Sequence, residues 1–385
     1  MPEFGVGTTE TRFFDLPEDL LPFRLHKGGE LAEVRLSYET YGELNEARDN
    51  AILVFHALTG SQHASGWTES VPGVAKWNDE CQRGWWSLFV GPGLAIDTDR
   101  FFVISVNYLG GCYGSTGPSS IDPATGTPYG SRFPEVRAID VVNAQIPLLD
   151  HLGIERLHGT IGASVGGLLA LVLATRYPDR VKNVIPISAG LETTPLQFLH
   201  NFEQTVAILN DPDFNGGDYY EGPHPDRGLA LARMIGHKTF VSLDAMAERV
   251  RRGVQAEVDD LDGYDITHSL ESYIWYQGKK FLQRFDANTY LRLMGLWQHF
   301  DLLAEVGPDV EGFVELFARC TDQQFLVFSI DSDGCFYPDE QMRLMHVLQR
   351  AGVDAMRITV HSEKGHDSFL LEPEFFAPHL QQILG

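Results

Sequence analysis

The sequence predicts an α/β fold with a mostly parallel, doubly wound sheet and a helical insertion in the second half of the chain. Short apolar runs recur along the chain, as is typical of strands buried on both faces of a parallel sheet. These runs are residues 51–55, 101–106, 159–161, 184–187, 325–330 and 356–360. Helical patterns separate several of them, at residues 138–152, 168–177 and 340–351. This alternation of strands and helices predicts the doubly wound architecture.

Two parts of the chain depart from the alternation. Residues 10–40 alternate apolar and polar side chains around Gly28 and Gly29, which predicts an antiparallel start to the sheet with a turn at the glycines. Residues 191–318 are helix-like and poor in strand patterns. We therefore expect a core domain of residues 1–190 and 319–385, and a helical lid domain of residues 191–318 that covers the strand ends. Its aromatic side chains are expected to form the lid core: Phe198, Phe202, Phe214, Tyr219, Tyr220, Phe240, Tyr273, Trp275, Tyr276 and Trp297.

Composition limits the classes of function. The chain has 385 residues, of which 43% are hydrophobic, enough for a large core without metal or disulfide support. Its net charge of -24 argues against a nucleic-acid partner, because a phosphate backbone repels such a surface. The four cysteines are far apart and form no zinc-binding pattern. With no signal-peptide pattern and no apolar run of membrane-spanning length, we expect a cytoplasmic protein that binds no membrane.

The most informative motif is Gly-Ala-Ser-Val-Gly at residues 162–166. It lies where a predicted strand ends and the next helix begins, which is the position of a nucleophile elbow. A serine on so sharp a turn exposes its hydroxyl, as attack on a carbonyl requires. Glycines flank Ser164 because side chains there would clash where strand and helix approach closely. Gly-x-Ser-x-Gly also occurs by chance, but its position here predicts that Ser164 is a nucleophile.

A serine nucleophile needs a histidine base and a carboxylate that orients the imidazole. On the scaffold that carries this elbow the chain order is serine, acid, histidine. Asp331 and Asp333 come just after one predicted strand, and His361 and His366 come just after the next. His366, in a loop before a final helix, is the preferred base, and His361 at the strand edge is the alternative. The residues alone leave the choice between the two carboxylates open.

Acyl transfer also needs hydrogen-bond donors for the oxyanion that forms on the carbonyl. One donor is expected to be the backbone N–H of Val165, which directly follows the nucleophile. The second is expected from the loop after an early strand, here residues 56–61. The sequence therefore predicts a complete acyl-transfer machinery at the carboxyl ends of the parallel strands, where open α/β sheets place their sites.

Several longer motifs make the chain resemble the homoserine O-acyltransferases of the α/β-hydrolase superfamily. The resemblance covers nearly the whole chain and is far more specific than the elbow alone. It is carried by residues 56–60, 91–98, 107–118, 211–212, 216–219, 277–278, 284–288 and 365–367, which include His-Ala-Leu-Thr-Gly, Arg-Phe-Asp-Ala-Asn and Gly-His-Asp. The resemblance implies an α/β-hydrolase fold with a helical lid.

The resemblance also implies a ping-pong acyl transfer that belongs to methionine biosynthesis. Ser164 would take an acetyl group from acetyl-CoA, with His366 as the base and Asp333 as the carboxylate that orients it. Asp333 is favoured over Asp331 because the family's aspartate lies in a Ser-Asp-x-x-aromatic segment before a proline, which matches residues 332–338. L-homoserine would then attack the acyl-enzyme.

Further expectations come from the same resemblance. Leu58 and Val165 would supply the two oxyanion N–H groups. Acyl-CoA would be a co-substrate, with neither a resident cofactor nor a metal ion. Members of the family associate as homodimers through the lid, so a homodimer is expected here.

The acceptor is a zwitterion, so its site needs a cation for the carboxylate and an acid for the ammonium group. The family's substrate arginine lies in an Ala-Arg segment that matches Arg233; without the resemblance, a lid ion pair is an equal interpretation. Asp367 matches the position expected to meet the amino group, and Thr59 is a further contact candidate. Where the family often has tyrosine seven residues after the arginine, this chain has Phe240.

The missing tyrosine hydroxyl leaves the substrates open. L-serine could replace L-homoserine, and succinyl-CoA could replace acetyl-CoA, since one methylene contributes only about 1–3 kcal/mol of discrimination. Two functions of other classes also compete: an esterase that uses water as the acceptor, and a non-catalytic binding protein. The intact serine, aspartate and histidine argue against the binding protein, and the zwitterion-reading side chains favour a transferase.

Overall fold

The computed structural model describes residues 5–251, 264–307 and 309–385. The strands in this part of the chain are β1 (Arg12–Asp15), β2 (Phe23–Arg24), β3 (Glu30–Leu31), β4 (Arg35–Tyr41), β5 (Ala51–Phe55), β6 (Val90–Gly91), β7 (Ile96–Asp97), β8 (Phe102–Val106), β9 (Leu157–Ala163), β10 (Val181–Ile187), β11 (Gln324–Ile330) and β12 (Asp354–Val360). The helices are α1 (Asp79–Gln82), α2 (Ala138–His151), α3 (Val165–Arg176), α4 (Pro195–Leu209), α5 (Asp226–Phe240), α6 (Leu243–Arg251), α7 (Ser269–Leu282), α8 (Ala287–Gln298), α9 (Leu302–Val306), α10 (Phe313–Phe317), α11 (Pro338–Ala351), α12 (Ser368–Leu371) and α13 (Pro373–Leu384).

One large sheet has the strand order β1-β4-β8-β5-β9-β10-β11-β12. Neighbouring strands from β8 to β12 pair in parallel, whereas β4 pairs antiparallel with both β1 and β8. The predicted mostly parallel α/β sheet is confirmed, and each predicted apolar run lies on one of its strands. The antiparallel start is confirmed too, with Gly28 and Gly29 in the turn between β2 and β3.

Both faces of this sheet are covered, which explains the continuous apolar runs. On β5, Leu53 and Phe55 belong to one hydrophobic core, and Ile52 and Val54 belong to the other. Helices α2 and α3 contribute to the first core and α13 contributes to the second. Because the faces are occupied, the carboxyl ends of the parallel strands are the part of the sheet where a site is expected.

The chain between β10 and β11 is helical in its described part and includes α4 to α10. Helix α5 packs against both α4 and α7, and α4 also packs against α8. Helix α4 begins at a capping box in which Thr194 and Gln197 satisfy each other's backbone N–H groups. None of the described helices has the length and apolar character that crossing a membrane requires.

The expectation that the aromatic side chains of this segment form its core is only partly right. Four of them are buried: Phe214, Tyr219, Tyr273 and Trp297. The expectation is wrong for three others, which are about half exposed: Phe198 at 46%, Phe202 at 54% and Tyr276 at 46%. On α4 the cause is visible, because the buried stripe of this helix is largely polar and consists of Gln197, Asn201, Gln204 and Ile208. Its apolar side chains therefore face outward.

Helix α3 approaches the end of β5 so closely that only glycine fits between them. A Cβ atom on Gly166 would lie 2.3 Å from the carbonyl oxygen of Phe55 and 2.7 Å from that of His56. A Cβ atom on Gly162 would lie 2.0 Å from the carbonyl oxygen of Gly166. The helix begins at Val165, three residues before the predicted start, and its first turn therefore lies at the carboxyl edge of the sheet.

This approach predicts opposite effects for two glycine substitutions. Gly166→Ala should lower the free energy of unfolding by about 2–3 kcal/mol, because backbone atoms of β5 must move. Gly295→Ala, in the middle of α8 with open space around the new Cβ, should raise it by about 0.5–1 kcal/mol. Urea unfolding of both variants measures this, and effects of the same sign would contradict the account.

Candidate active site

Ser164 occupies the turn between β9 and α3. Its φ of 59° and ψ of -128° lie in a region that non-glycine residues rarely adopt. Its backbone N–H donates to the carbonyl of Ile187 on β10 at 2.9 Å, and its own carbonyl accepts from Gly167 at 2.9 Å. Sheet and helix together hold this strained turn, which has the form of a nucleophile elbow, and Ser164 lines a cavity at the sheet edge.

His366 and Asp333 form a buried pair at the same edge. The Nδ1 of His366 lies 2.7 Å from Oδ2 of Asp333, and both residues are 3% exposed. The other carboxylate oxygen accepts the backbone N–H groups of Cys335 at 2.8 Å and Phe336 at 2.9 Å. Asp333 is thus fixed as the acceptor for Nδ1–H, and Nε2 of His366, which has no partner within the described residues, stays available as a base.

The alternative residues, Asp331 and His361, form a second aspartate–histidine pair on the same two strands. Nδ1 of His361 lies 2.7 Å from Oδ2 of Asp331, and the other oxygen accepts the backbone N–H of Ser362. The side chain of His361 is 82% exposed. Neither residue lines the cavity that contains Ser164, so the structure brings His366 and not His361 to the predicted nucleophile.

The predicted oxyanion donors are the backbone N–H groups of Val165 and Leu58. Val165 is the first residue of α3, so its N–H is one of those that the helix cannot satisfy internally. Leu58 lines the cavity from the loop that follows β5. A helix N-terminus also favours negative charge, so this position suits the oxyanion of a tetrahedral intermediate.

The start of the Leu58 loop is held by His56. Burial lowers the pKa of His56 to about 3, so the ring is neutral, and its Nδ1 donates to the carbonyl of Ala57 at 2.7 Å. Tyr108 stacks on the ring with centroids 3.6 Å apart and donates its hydroxyl to the carbonyl of His56. A neutral, stacked histidine therefore fixes the direction in which the loop leaves the strand.

The cavity above Ser164 has a volume of about 290 Å³. Its wall includes the predicted acceptor contacts Thr59, Arg233 and Asp367, and also Phe240. The structure therefore gathers in one cavity the predicted nucleophile Ser164, the predicted base His366, and the charged side chains of Arg233 and Asp367. These side chains come from the core and from the helical segment alike.

Arg233 extends from α5 between two aromatic rings. Its guanidinium carbon lies 5.4 Å from the ring centre of Phe240 and 4.9 Å from that of Phe281. Burial, and then the charge of Arg284, lower the pKa of Arg233 to about 10, whereas the charge of Asp367 opposes this shift. Arg233 remains a cation at neutral pH, poorly solvated and therefore suited to binding a carboxylate.

Sequence reasoning assigned no role to Arg284, a second cation in the cavity wall. It donates from Nη1 to the carbonyl of Thr59 at 3.0 Å and to the hydroxyl of Tyr113 at 3.3 Å. Its Nε lies 3.8 Å from a carboxylate oxygen of Glu80. Arg284 belongs to the Arg-Phe-Asp-Ala-Asn motif, but no spacing rule connects it with a residue 225 positions earlier in the chain.

Glu340 lies in the first turn of α11, directly after the loop that carries Asp333. Burial raises the pKa of Glu340 to about 8. Its Oε1 accepts the backbone N–H of Tyr337 at 3.0 Å and an N–H of Gln197 at 3.1 Å. The carboxyl group therefore connects the Asp333 loop with helix α4 in its neutral form.

A strained serine elbow and a buried histidine–aspartate pair at the carboxyl edge of a parallel sheet define the class of the α/β hydrolases. A family profile described as the alpha/beta hydrolase fold matches residues 50–372. Among solved structures, esterase E22 superposes with a TM-score of 0.85 at 28% identity, over 98% of this chain and 100% of that one.

Curated relatives resolve the class further. A homoserine O-acetyltransferase of Solidesulfovibrio magneticus is 44% identical over 95% of this chain and 90% of its own length. A homoserine O-succinyltransferase of Stutzerimonas stutzeri is 42% identical over 96% of this chain and 94% of its own length. The chain belongs to the homoserine O-acyltransferase family of the α/β hydrolases.

The raised pKa of Glu340 predicts how stability depends on pH. An unfolded glutamate has a pKa of about 4.3, so from about pH 4 to pH 8 the folded state holds a proton that the unfolded state has lost. This group therefore makes the protein less stable as pH rises through that window. Glu340→Gln, which stays neutral, should gain stability relative to the wild type between about pH 5 and pH 9. Urea unfolding at both pH values measures the difference, and a difference independent of pH would contradict it.

Proposed function

We propose that this acyltransferase moves an acetyl group from acetyl-CoA to the hydroxyl of L-homoserine through an acyl-enzyme on Ser164. The proposal rests above all on one observation: the cavity that holds Ser164 and His366 also presents a cation, Arg233, and a carboxylate, Asp367. Opposite charges beside a nucleophile suit an amino-acid acceptor, which carries both a carboxylate and an ammonium group. The family membership supports the same reaction.

In the proposed first step, His366 Nε2 takes the proton of Ser164 as its Oγ attacks the thioester carbonyl. Asp333 stabilises the imidazolium through the 2.7 Å contact with Nδ1. The N–H groups of Leu58 and Val165 bind the oxyanion. The tetrahedral intermediate then breaks its C–S bond, and the imidazolium returns its proton to the CoA thiolate.

In the second step His366 is again the base, and Ser164 becomes the leaving group. The hydroxyl of L-homoserine loses its proton to His366 as the oxygen attacks the ester of Ser164. The intermediate collapses, the bond between Ser164 and the acetyl carbon breaks, and the imidazolium returns a proton to the serine. This chemistry uses only groups of the chain, and acyl-CoA enters as a co-substrate rather than as a resident cofactor.

The acceptor is proposed to lie between Arg233 and Asp367, with Thr59 as a further polar contact. Arg233 would bind the carboxylate and Asp367 the ammonium group, which leaves the side-chain hydroxyl directed at the acyl-enzyme. Phe240 is near both residues in the wall, since its ring centre lies 5.4 Å from the guanidinium carbon of Arg233 and 6.1 Å from the ring centre of His366. An apolar ring there shields the acyl ester from water, which favours transfer over hydrolysis.

Hydrolysis is the second candidate, favoured by the likeness to esterase E22. The same acylation step would then end with water instead of an amino acid. The donor and acceptor also have close rivals, since relatives carry both acetyl- and succinyltransferase names. Succinyl-CoA and L-serine are therefore part of the test below.

The segment of residues 191–318 is proposed to act as a lid domain and to associate with a second copy of the chain. Helix α4 supports this proposal because it exposes a set of large apolar side chains, which isolated soluble surfaces seldom do. They are Leu196, Phe198, Leu199, Phe202 and Leu209. A monomer in sedimentation equilibrium at micromolar concentration would contradict the homodimer.

A panel of donors and acceptors tests the reaction. Acetyl-, propionyl- and succinyl-CoA are each combined with L-homoserine, L-serine or no acceptor, and thiol release and the O-acyl product are both measured. We expect the highest kcat/KM with acetyl-CoA and L-homoserine, and a product equal in amount to the thiol. Thiol release that needs no amino acid would instead identify a hydrolase. Ser164→Ala is the control and should lose activity by a factor of at least about 1000.

The acceptor site is tested by Arg233→Met. Loss of a charged hydrogen-bonding partner should raise the KM for L-homoserine by about 10- to 100-fold, because such contacts contribute about 1.5–3 kcal/mol. The burst of thiol release that reports acylation by acetyl-CoA should change little. Arg227→Met, on the exposed side of the same helix, is the matched control. A slower burst with an unchanged KM would place Arg233 on the donor side instead.

A further inference from the structure

The turn between α7 and α8 is fastened to the core by backbone contacts. The ammonium group of Lys76 donates to the carbonyl of Leu282 at 2.9 Å and to that of Phe285 at 2.8 Å. The hydroxyl of Tyr113 donates to the carbonyl of Arg284 at 2.6 Å. Arg284 is thus carried on a turn whose backbone is already fixed against core loops.

From this turn the guanidinium of Arg284 reaches the loop that carries Leu58. Nη1 donates to the carbonyl of Thr59 at 3.0 Å, and Nη2 lies 3.5 Å from the Thr59 hydroxyl. Thr59 directly follows Leu58, whose N–H is assigned to the oxyanion. On its other side the loop is held by His56 and Tyr108. Arg284 thus contacts this loop from the helical segment.

The guanidinium of Arg284 is surrounded by groups that fix its position, which makes it less suited to binding an anion. Its side chain is 18% exposed, and its guanidinium carbon lies 5.0 Å from the ring centre of Phe281. A carboxylate oxygen of Glu80 lies 3.8 Å from Nε of Arg284, and Glu80 also forms an ion pair with Lys280. The Tyr113 hydroxyl takes a further N–H at 3.3 Å. A guanidinium with partners on several sides is held in place and links two parts of the chain.

We propose that Arg284 is a positioning residue that holds the Thr59 carbonyl and thereby sets the Leu58 N–H for the oxyanion. This inference rests on the proposed acyl-enzyme chemistry and adds a structural condition to it: the helical segment must be docked for the oxyanion hole to be complete. Both half-reactions pass through an oxyanion at the same place. Loss of the contact between Arg284 and Thr59 should therefore slow acylation and deacylation by similar factors.

The test compares a charged donor with a neutral one. p-Nitrophenyl acetate acylates a serine through the same oxyanion but carries neither the phosphates of CoA nor a carboxylate. Arg284→Met should lower the acylation rate with acetyl-CoA and with p-nitrophenyl acetate alike, each by about 10- to 100-fold, which is less than or equal to the loss of a whole oxyanion donor. The KM for L-homoserine should change less than about threefold, since Arg284 binds no acceptor group in this account.

Arg137→Met is the matched control. Like Arg284, Arg137 links the core and the helical segment through a carbonyl, because its Nη1 donates from the core to the carbonyl of His299 at 3.2 Å. Unlike Arg284, it lies outside the cavity. Its loss should lower thermal stability and leave both acylation rates within about twofold. If Arg137→Met slows acylation as much as Arg284→Met does, general loosening of the segment explains the effect and the proposal fails.

Other outcomes decide between positioning and ligand binding. A loss confined to acetyl-CoA, or no loss with either donor, overturns the proposal, and the former result would assign Arg284 to the donor's charges. If Arg284→Met does not fold, the same two acylation rates are measured in Arg284→Lys. A lysine keeps the charge but loses the two-pronged hydrogen-bonding geometry of the guanidinium. An equal loss with both donors supports the proposal. The assay with p-nitrophenyl acetate needs only the acylation of Ser164 and no amino-acid acceptor, so it remains valid if transfer to L-homoserine fails.

Discussion

The close approach of α3 to the end of β5 is the constraint on which the site depends. Gly166 leaves no room for a Cβ atom against the carbonyl of Phe55, so the helix can start directly at the sheet edge. This forces Ser164 into a backbone conformation with positive φ and turns its side chain toward the cavity. The same approach places Gly166, in the first turn of the helix, against the carbonyl of His56, two residues before Leu58. The turn of the predicted nucleophile and the start of the predicted oxyanion loop thus both depend on one packing contact.

Burial distinguishes the two aspartate–histidine pairs, although their hydrogen bonds are equally short. Asp331 and His361 meet in solvent, where such a contact contributes little and orients nothing that a substrate reaches. Asp333 is enclosed and takes two backbone N–H groups in addition to His366. The helical segment then supplies charges to the cavity through Arg233 and Arg284. In our proposal the core provides the reacting groups, core and segment together bind the acceptor, and the segment also contributes to the oxyanion geometry.

Patterns that depend on neighbours in the chain could be predicted from the sequence. The parallel strands, the turn at Gly28 and Gly29 and the elbow at Ser164 follow from local periodicity and glycine placement, and the fold is confirmed. The residues favoured His366 over His361 but left the choice between the two aspartates open, because burial depends on packing between distant segments. The outward apolar face of α4 was missed for the same reason. The helix buries a largely polar stripe, and only the packing of distant segments decides which side of a helix is buried. Nothing in the spacing connects Arg284 with Thr59.

Trapping the acyl-enzyme is the decisive test of the proposal that Ser164 carries the acyl group. The enzyme is mixed with acetyl-CoA without acceptor, quenched in acid within milliseconds to seconds, and analysed by mass spectrometry of the intact chain and its peptides. We expect one added acetyl group, located on Ser164, which disappears on addition of L-homoserine as O-acetyl-L-homoserine forms. An acetyl group on another residue, or transfer that proceeds with no acetylated Ser164 at any time, would contradict it.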